Sequence, residues 1–313
     1  MSKRYLAVGK PARRVTLCHG VPSRHGGRQH ATLPTLAQPL PMIVRTLLFA
    51  LPLLWLVPPA SAATTPTPTL VYAFSRFEPY KTVDADGKPG GPYTVLLQEL
   101  ARRSGVQLDI VHCPLQRCLA LLQRGQADLS IGIRGNAERD RYLDFLDPPF
   151  APPTATMVLQ RHDDPRPIRH YDDLYALRVG VVEGASYFQR FDEDRLMRRD
   201  AAPSARLALR KLAAKRFDVL LINAQQGRQL SRELGARQYR RAELQFPGEL
   251  PRRIALSRLS PAVQAAKPRL AAQLQQMLRD GSVRRILDGA AVQAAHAGSK
   301  RSGRSLHSMS TPH

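Results

Sequence analysis

The chain has 313 residues, of which 43% are hydrophobic, and its formal net charge is +22. Residues 1–63 carry eight basic and no acidic side chains, so the rest of the chain has a net charge of +14. The basic residues are 39 Arg and 8 Lys, scattered rather than clustered, which argues against a nucleic-acid-binding surface. The roughly 250 residues that follow suffice for one large domain or two lobes with substantial cores.

The N-terminal region has the pattern of an export signal. Residues 42–45 open a short basic region, residues 47–57 are almost wholly apolar, and Ala60-Ser61-Ala62 supplies small residues for cleavage. We therefore predict a signal peptide over residues 42–63. No cysteine stands directly after the apolar run, which favours a soluble periplasmic protein over a lipid-anchored one.

The two ends of the chain are expected to lie outside the folded domain. Residues 1–41 precede the signal and are explained either by a misassigned start, with Met42 as the true initiator, or by an unusually long basic leader. Residues 290–313 are small, polar and basic, which is typical of a disordered tail.

Cys113 and Cys118 are five residues apart, and Cys18 would leave with the signal peptide. A disulfide between them would persist in an oxidising compartment, in agreement with export. Two alternatives stay open, namely a pair of free buried thiols and metal ligation. The sequence offers no His or Cys partners at ligand spacing for a metal, so we predict no metal site.

From Leu70 onward, strand-like apolar runs alternate with amphipathic helical patterns, which indicates an α/β architecture. Pro268 would interrupt a helix that begins at Pro261, so the last helix is predicted to begin at Pro268. The predicted strands lie at residues 70–74, 106–111, 129–133, 178–182, 218–222 and 254–256, and the helical patterns lie at residues 96–101, 115–122, 209–213 and 270–278, with a further helix after Gly184-Ala185-Ser186.

A weak internal repeat suggests two lobes. Leu122 stands six residues before Asp128, and Leu212 stands six residues before Asp218, with an apolar strand after each aspartate. Connections near residues 148–157 and 246–251 would join the lobes. The predicted boundaries are residues 70–152 with 250–289 for lobe 1, and residues 153–249 for lobe 2.

Several short motifs follow one another in a specific order. They are Phe77-Glu78-Pro79-Tyr80, the Gly87 loop, Gly125-Gln126-Ala127-Asp128, Glu138-Arg139 with Leu143-Asp144-Phe145, Asp173-Leu174 before Val179-Gly180-Val181, Gly184, Asp218 and Leu278-Arg279-Asp280-Gly281. In this order the chain resembles the bacterial extracellular solute-binding proteins of family 3, periplasmic receptors that deliver polar amino acids and related solutes to ABC importers. The resemblance implies a two-lobed α/β periplasmic binding protein fold (type II-like), with a ligand cleft between lobes joined by a two-strand hinge.

The resemblance also implies ligand-binding residues in lobe 1. Phe77 and Tyr80 follow the first strand and would wall the ligand, although they could instead only pack their loop. Ser130 and Gly132 lie in the strand segment through which the family hydrogen-bonds its ligand. Ligands in open α/β sheets bind beyond the carboxyl ends of strands, where these residues are expected.

Arg139 matches the arginine with which the family clamps an α-carboxylate. A guanidinium fork fits a carboxylate with two hydrogen bonds, which explains the need for this residue type. The chain is one residue shorter than usual between Asp128 and Arg139, so Arg134 is a second candidate for the clamp. A structural ion pair is the alternative role of Arg139.

Two further binding residues are implied in lobe 2. Ser186 stands where the family places a hydroxyl at a helix start, and its alternative role is a helix cap alone. Asn223 stands where amino-acid receptors commonly carry an aspartate that pairs the ligand's ammonium group. An amide brings no charge, so either another acid compensates or the ligand is not an ordinary α-amino acid.

These features predict a monomeric periplasmic protein that captures a small polar or anionic solute and passes it to an ABC permease in the inner membrane. We expect no cofactor and no nucleic-acid partner. We also expect no catalysis, because paired acids and bases or a Ser/His/Asp arrangement are absent at informative spacing. Two alternatives are a periplasmic accessory or sensor protein of a redox or metabolic pathway and, less favoured, a dehydratase-type enzyme on the same scaffold.

Overall fold

The computed structural model describes residues 67–289. The predicted signal peptide, the segment before it and the predicted tail over residues 290–313 lie outside the described residues. Within the part of the chain that is described, no helix has both the length and the apolar character that a membrane span requires.

Strands and helices alternate along the described chain. The strands are β1 (Thr69–Phe74), β2 (Thr82–Val83), β3 (Pro89–Gly90), β4 (Gln107–His112), β5 (Leu129–Ile133), β6 (Leu143–Phe145), β7 (Thr156–Arg161), β8 (Val179–Val182), β9 (Arg199–Ala202), β10 (Val219–Asn223), β11 (Tyr239–Phe246) and β12 (Arg253–Ser257). The helices are α1 (Pro92–Arg103), α2 (Leu115–Gln123), α3 (Gln189–Glu193), α4 (Ala205–Ala213), α5 (Ala224–Gly235) and α6 (Pro261–Arg279), and residues 282–289 are also helical.

The first lobe is built on a five-stranded sheet in the order β4-β1-β5-β12-β6. β1 runs parallel to β4 and β5, whereas β12 runs antiparallel to β5 and β6. Leu96 and Leu100 of α1 and Leu270 of α6 pack against Tyr72 and Leu256 of the sheet in one buried cluster. The apolar face of each helix therefore covers the sheet and removes its own side chains from water.

The second lobe is built on a sheet in the order β11-β7-β10-β8-β9. β8 is parallel to β9 and β10, and β7 is antiparallel to β10 and β11. All five residues of β10 are buried, as expected of a central strand that is covered on both faces. Apolar clusters lie around this sheet, with Leu221 in one of them and Leu220 in another.

The chain crosses between the sheets twice, after β6 and after β11. The two crossing segments pair with each other, since the N–H of Phe150 donates to the carbonyl of Arg252 at 3.0 Å and the N–H of Arg252 donates to the carbonyl of Ala151 at 2.9 Å. Two sheets joined in this way confirm the predicted two-lobed α/β class.

A disulfide joins Cys113 and Cys118, whose Cα atoms are 5.4 Å apart. This confirms the predicted pairing over the two alternatives. Cys113 follows β4, and Cys118 is fully buried in α2 beside Leu119 and Leu122. The bond therefore fixes the start of α2 against the end of β4.

One predicted boundary is wrong, because α6 begins at Pro261 and continues through Pro268. The proline removes one backbone donor from the helix interior. The same buried face nevertheless continues on both sides of it, through Val263, Leu270 and Leu274. Packing of this face against the sheet outweighs the local cost of the proline.

Candidate functional site

The carboxyl ends of the parallel strands in the two sheets lead into loops that surround a cavity of about 130 Å³. This is about tenfold more than a single water molecule requires. The lining residues are Ser75, Arg76, Phe77, Lys81, Pro114, Leu115, Ile133, Arg134, Arg139, Thr156, Val182, Ala185, Ser186, Tyr187, Pro203, Ser204, Ala205, Ile222, Asn223, Gln226 and Arg252. Both lobes therefore contribute, as the family resemblance implies.

Five of the eight residues that the sequence predicts for the site line this cavity, namely Phe77, Arg134, Arg139, Ser186 and Asn223. The other three do not line it. Each of these three has a specific structural role in or near the cavity wall.

Tyr80 lies in the cleft but outside the cavity lining. Its ring stacks on Tyr93, with 4.6 Å between the ring centroids. Its hydroxyl donates a hydrogen bond to Oε1 of Gln225, which belongs to the other lobe. In this arrangement Tyr80 connects the lobes beside the cavity instead of walling it.

Ser130 and Gly132 lie behind the cavity. The hydroxyl of Ser130 is fully buried and donates to the carbonyl of Ala73 at 2.8 Å, which ties β5 to β1. A Cβ atom at Gly132 would lie 2.8 Å from the ring of Tyr93, so this glycine makes room for the aromatic side chain. Both residues lie on the predicted strand, β5. The Ser130 hydroxyl contacts β1 and Gly132 packs against the Tyr93 ring, so neither residue faces the cavity.

Arg134 and Arg139 follow β5, and each is only 6% exposed. Arg139 donates from Nη1 to the carbonyl of Arg134 at 2.6 Å and from Nη2 to the carbonyl of Gly184 in the other lobe. Arg134 donates to the carbonyl of Tyr187 and, at 2.7 Å, to the carbonyl of Thr154. Both predicted clamp residues therefore reach across the cleft to neutral acceptors.

Burial governs the ionisation of these arginines. It lowers the pKa of Arg134 to about 10, and the like charge of Arg252 acts in the same direction. Burial also lowers the pKa of Arg139. Among residues 67–289, neither side chain belongs to an ion pair with a carboxylate.

Two further buried cationic residues of the site escaped sequence analysis, as did the exposed Arg76. Lys81 is 2% exposed, and its Nζ donates to Oγ of Ser75 at 3.1 Å. Arg252 is 4% exposed and donates to Oγ1 of Thr154 at 2.5 Å. Its guanidinium lies 5.2 Å from the ring centroid of Phe77. Two sequence features could have indicated these residues. Lys81 directly follows the aromatic motif, and Arg252 directly follows the second predicted connection.

Asn223 ends β10 and caps α5. Its Oδ1 accepts hydrogen bonds from the backbone N–H groups of Gln225 at 3.1 Å and Gln226 at 3.2 Å. Its Nδ2 donates to Oγ1 of Thr154 at 2.7 Å. An amide oxygen has two lone pairs, so the acceptor capacity of this side chain is already used, and one N–H of Nδ2 is left for a ligand.

Ser186 lines the cavity, but it does not begin a helix as predicted. α3 begins at Gln189, and Phe188 precedes it. The hydroxyl of Ser186 donates to Oδ2 of Asp192 at 2.6 Å, and the same carboxylate accepts from the backbone N–H of Tyr187 at 3.1 Å. Asp192 therefore organises the loop after β8, which delays the helix by several residues.

The disulfide-closed segment also forms part of the wall. Pro114 and Leu115, which lie between the two cysteines, line the cavity. A Cβ atom at Gly184 would lie 3.1 Å from the Cα atom of Gln116, so the segment also comes close to the second lobe. Arg117 is exposed and outside the lining.

The charge of the cavity has one sign. Its cationic residues are Arg76, Lys81, Arg134, Arg139 and Arg252, and none of the described residues that line it is Asp, Glu or His. Residues 67–289 also contain no cluster of three or more His, Cys, Asp or Glu side chains that is placed to hold a metal ion. The arrangement presents hydrogen-bond donors to an anion.

Several solved structures are similar in fold to this chain. An ancestral arginine-binding protein bound to arginine has a TM-score of 0.62 and 20% identity over 71% of this chain and 97% of that chain. An arginine 3rd transport system periplasmic binding protein from Legionella pneumophila has a TM-score of 0.60 and 18% identity over 71% and 99%. A histidine kinase sensor domain with similarity to periplasmic binding proteins has a TM-score of 0.59 and 21% identity over 70% and 93%.

Identities this low establish a shared fold and no shared ligand. A search of curated proteins found no match to the chain. The family model described as bacterial extracellular solute-binding proteins, family 3, matches residues 70–289, which is more than half of the sequence. The chain therefore belongs to family 3 of the bacterial extracellular solute-binding proteins.

Proposed function

We propose that this protein captures a small carboxylate-bearing solute between its lobes in the periplasm and presents it to an ABC permease in the inner membrane. The observation that carries the proposal is the pair Arg134 and Arg139. Both guanidinium groups are buried in the cleft, and their hydrogen-bond acceptors are neutral carbonyl oxygens. Asp192 acts on both arginines electrostatically but forms an ion pair with neither. A buried cation without a paired carboxylate is costly, and a ligand carboxylate would relieve that cost.

The proposed ligand is anionic and does not depend on an ammonium group. Asn223 replaces the aspartate that the family resemblance leads us to expect, and its amide oxygen already accepts two hydrogen bonds. A ligand ammonium would therefore find no free acceptor there and would lie among like charges. For the same reason arginine, which the structural relatives bind according to their descriptions, is not the ligand proposed for this cavity.

Membership of an extracellular solute-binding family supports the periplasmic location and the export signal over residues 42–63. Structural likeness to substrate-binding proteins of amino acid ABC transporters supports delivery to a permease. The proposed receptor acts as a monomer, since each lobe contributes its own wall of the cavity within one chain. The proposed role is binding rather than catalysis, because the lining presents hydrogen-bond donors suited to an anion and the family to which the chain belongs is one of solute-binding proteins.

The test is a calorimetric titration of the purified protein with acetate, butyrate, succinate, inorganic phosphate, L-glutamate and L-arginine. We expect saturable binding of carboxylates and none of L-arginine. Arg139→Gln is expected to weaken carboxylate binding by about tenfold or more, because it removes a charge-assisted hydrogen-bond pair.

Arg141→Gln is the matched control, because Arg141 lies in the same turn but is exposed. This variant is expected to bind as the unmodified protein does. Saturable binding of none of the carboxylates, or full affinity in Arg139→Gln, would refute the proposed clamp.

An accessory or sensor role is the second candidate, and the fold shared with a histidine kinase sensor domain favours it. Uptake of the identified solute separates the two roles. Deletion of the gene is expected to abolish high-affinity uptake if the protein serves an importer. Unchanged uptake together with an altered transcriptional response would assign the sensor role.

A further inference from the structure

Four buried cationic side chains form a row along the cavity, which we call the cationic row (Arg139, Arg134, Arg252 and Lys81). Nη1 of Arg139 donates to the carbonyl of Arg134 at 2.6 Å. Arg134 and Arg252 meet at Thr154, where one donates to the carbonyl and the other to the hydroxyl. Lys81 stands at the other end, within electrostatic reach of Arg252.

The row has more hydrogen-bond donors than the protein satisfies. Nε of Arg134 and Nε of Arg252 are buried without a partner. Nζ of Lys81 has three donor positions, and its acceptor among the described residues is Oγ of Ser75. Buried donors are normally paired, and an unpaired one costs free energy. The unpaired Nε atoms belong to the two middle members of the row, Arg134 and Arg252, and Lys81 at one end has spare donor positions.

A single carboxylate cannot neutralise the row. It accepts the fork of one or two guanidinium groups, and Arg134 with Arg139 already supply two. The guanidinium of Arg252 would remain charged and buried near the aromatic ring of Phe77, and Lys81 would be left beside it without an anionic partner. The acidic residues nearest to Lys81 in sequence are Glu78 and Asp84, and both are engaged by other groups. Oε2 of Glu78 accepts from Nε2 of Gln226 at 3.3 Å, and Oδ1 of Asp84 accepts from the backbone N–H of Lys88 at 2.8 Å.

We infer that Lys81 and Arg252 form a second anion subsite, so that the ligand is a small dicarboxylate with one carboxylate at Arg134 and Arg139 and the other at Lys81 and Arg252. This inference rests on the proposed function, because it assumes a carboxylate at the first pair. It adds the class of the ligand and the residues that select that class.

The electrostatics of Lys81 support this subsite. Burial lowers the pKa of Lys81 from 10.5 to about 7, and the positive charge of Arg252 acts in the same direction. The polar group in contact with Nζ is the hydroxyl of Ser75. A carboxylate placed at Nζ would favour the charged amine and raise this pKa. Ligand binding above pH 7 would therefore take up a proton at Lys81.

The first experiment compares dicarboxylates with analogues that lack one charge. The purified protein is titrated calorimetrically with malonate, succinate, glutarate and adipate, with the monoamides succinamate and glutaramate, and with inorganic phosphate. We expect a dicarboxylate of one preferred length to bind about tenfold or more tightly than its monoamide, because the amide cannot pair the second cation.

The second experiment uses Lys81→Met, which keeps an unbranched side chain one atom shorter and removes the charge. It is expected to reduce the affinity for the preferred dicarboxylate by about tenfold while leaving the affinity for the monoamide within about twofold. Lys88→Met is the matched control, because Lys88 is exposed in the neighbouring turn. Titrations at pH 8 in two buffers of different ionisation enthalpy should show proton uptake in the unmodified protein and none in Lys81→Met.

The outcomes separate this inference from the proposed function. Equal affinity for a dicarboxylate and its monoamide, or no effect of Lys81→Met, would refute the second subsite while the carboxylate clamp stands. Tighter binding of inorganic phosphate than of every dicarboxylate would also refute it. Binding of none of the carboxylates would refute the proposed function and the inference together.

Discussion

Asn223 donates a hydrogen bond of 2.7 Å from Nδ2 to Oγ1 of Thr154, and the same hydroxyl accepts a hydrogen bond of 2.5 Å from Arg252. Thr154 belongs to the first crossing segment, Asn223 ends a strand of the second sheet, and Arg252 lies in the second crossing segment. One hydroxyl thus connects a lobe to both segments of the hinge beside the cavity. A charge introduced at position 223 would therefore act on the cationic row.

Asn223→Asp is expected to reverse the charge preference of the site. The carboxylate retains the acceptor that caps α5, so the fold should persist. It also places a negative charge against Arg252 and competes with an anionic ligand. We expect carboxylate affinity to fall by about tenfold or more, and affinity for an α-amino acid such as L-glutamine to rise. Calorimetry of both ligand classes measures this, and unchanged carboxylate affinity would contradict it.

Lys81→Met is expected to change the pH dependence of stability. The native pKa of Lys81 is about 7, below its ordinary value of 10.5. Between these values the unfolded chain binds more protons than the native chain, so the contribution of Lys81 to the free energy of unfolding rises with pH. Below pH 7 both states are protonated, and the native state bears the full cost of a buried charge.

Urea unfolding at pH 6, 8 and 9.5 measures this effect. Lys81→Met should be more stable than the unmodified protein at pH 6, and the difference should shrink as the pH rises to 9.5. Lys88→Met should follow the unmodified protein at each pH. A stability difference that grows with pH would show that Lys81 is not held in this way.

The double variant Cys113→Ser, Cys118→Ser is expected to lose both stability and affinity. The closed loop is short, so the loss of stability should be near the low end of ~2–4 kcal/mol. Affinity should fall because Pro114 and Leu115 between the cysteines line the cavity. Unfolding and titration of the variant should match those of unmodified protein treated with a phosphine reductant. A variant with unchanged affinity would separate the disulfide from the site.

Gly184→Ala is expected to hinder closure of the cleft. Gly184 has a φ of +74°, and an added Cβ would lie 2.6 Å from Oε1 and 3.1 Å from Cα of Gln116 in the other lobe. Gly87→Ala is a control for backbone strain, since its φ is +82° and nothing lies within 4 Å of its added Cβ. Both variants should lose roughly 1 kcal/mol of stability, but only Gly184→Ala should bind carboxylates more weakly. Equal affinity of the two variants in calorimetry would contradict this.

Much of the fold could be predicted from local pattern. The strand over residues 129–133 has the predicted bounds, and the end of that strand correctly placed Arg134 and Arg139 at the cavity. Local pattern failed where tertiary packing decides. Pro268 lies within α6 because the buried face of the helix continues past it, and Ser186 does not begin a helix because Asp192 holds its loop.

The proposed second anion subsite could not be predicted from local sequence pattern. Lys81 and Arg252 are 171 positions apart in the chain, and each is an unremarkable basic residue when considered alone. Their burial depends on how β1, β12 and the crossing segments meet. Ser130 and Gly132 were assigned to the right strand, but the packing of Tyr93 and the contact with Ala73 turn them away from the cavity.

A ligand that binds the guanidinium groups of Arg134 and Arg139 must compete with hydrogen bonds that these groups already make within the protein. Main-chain oxygens of Gly184 and Tyr187 already accept their hydrogen bonds. A sugar, alcohol or amide offers acceptors no stronger than these, so an uncharged solute gains nothing by displacing them. Hydrogen bonds to an ionised acceptor are roughly twice as strong, so a carboxylate does gain. We therefore expect the main-chain oxygens of the second lobe to favour an anionic solute over a neutral one at this position.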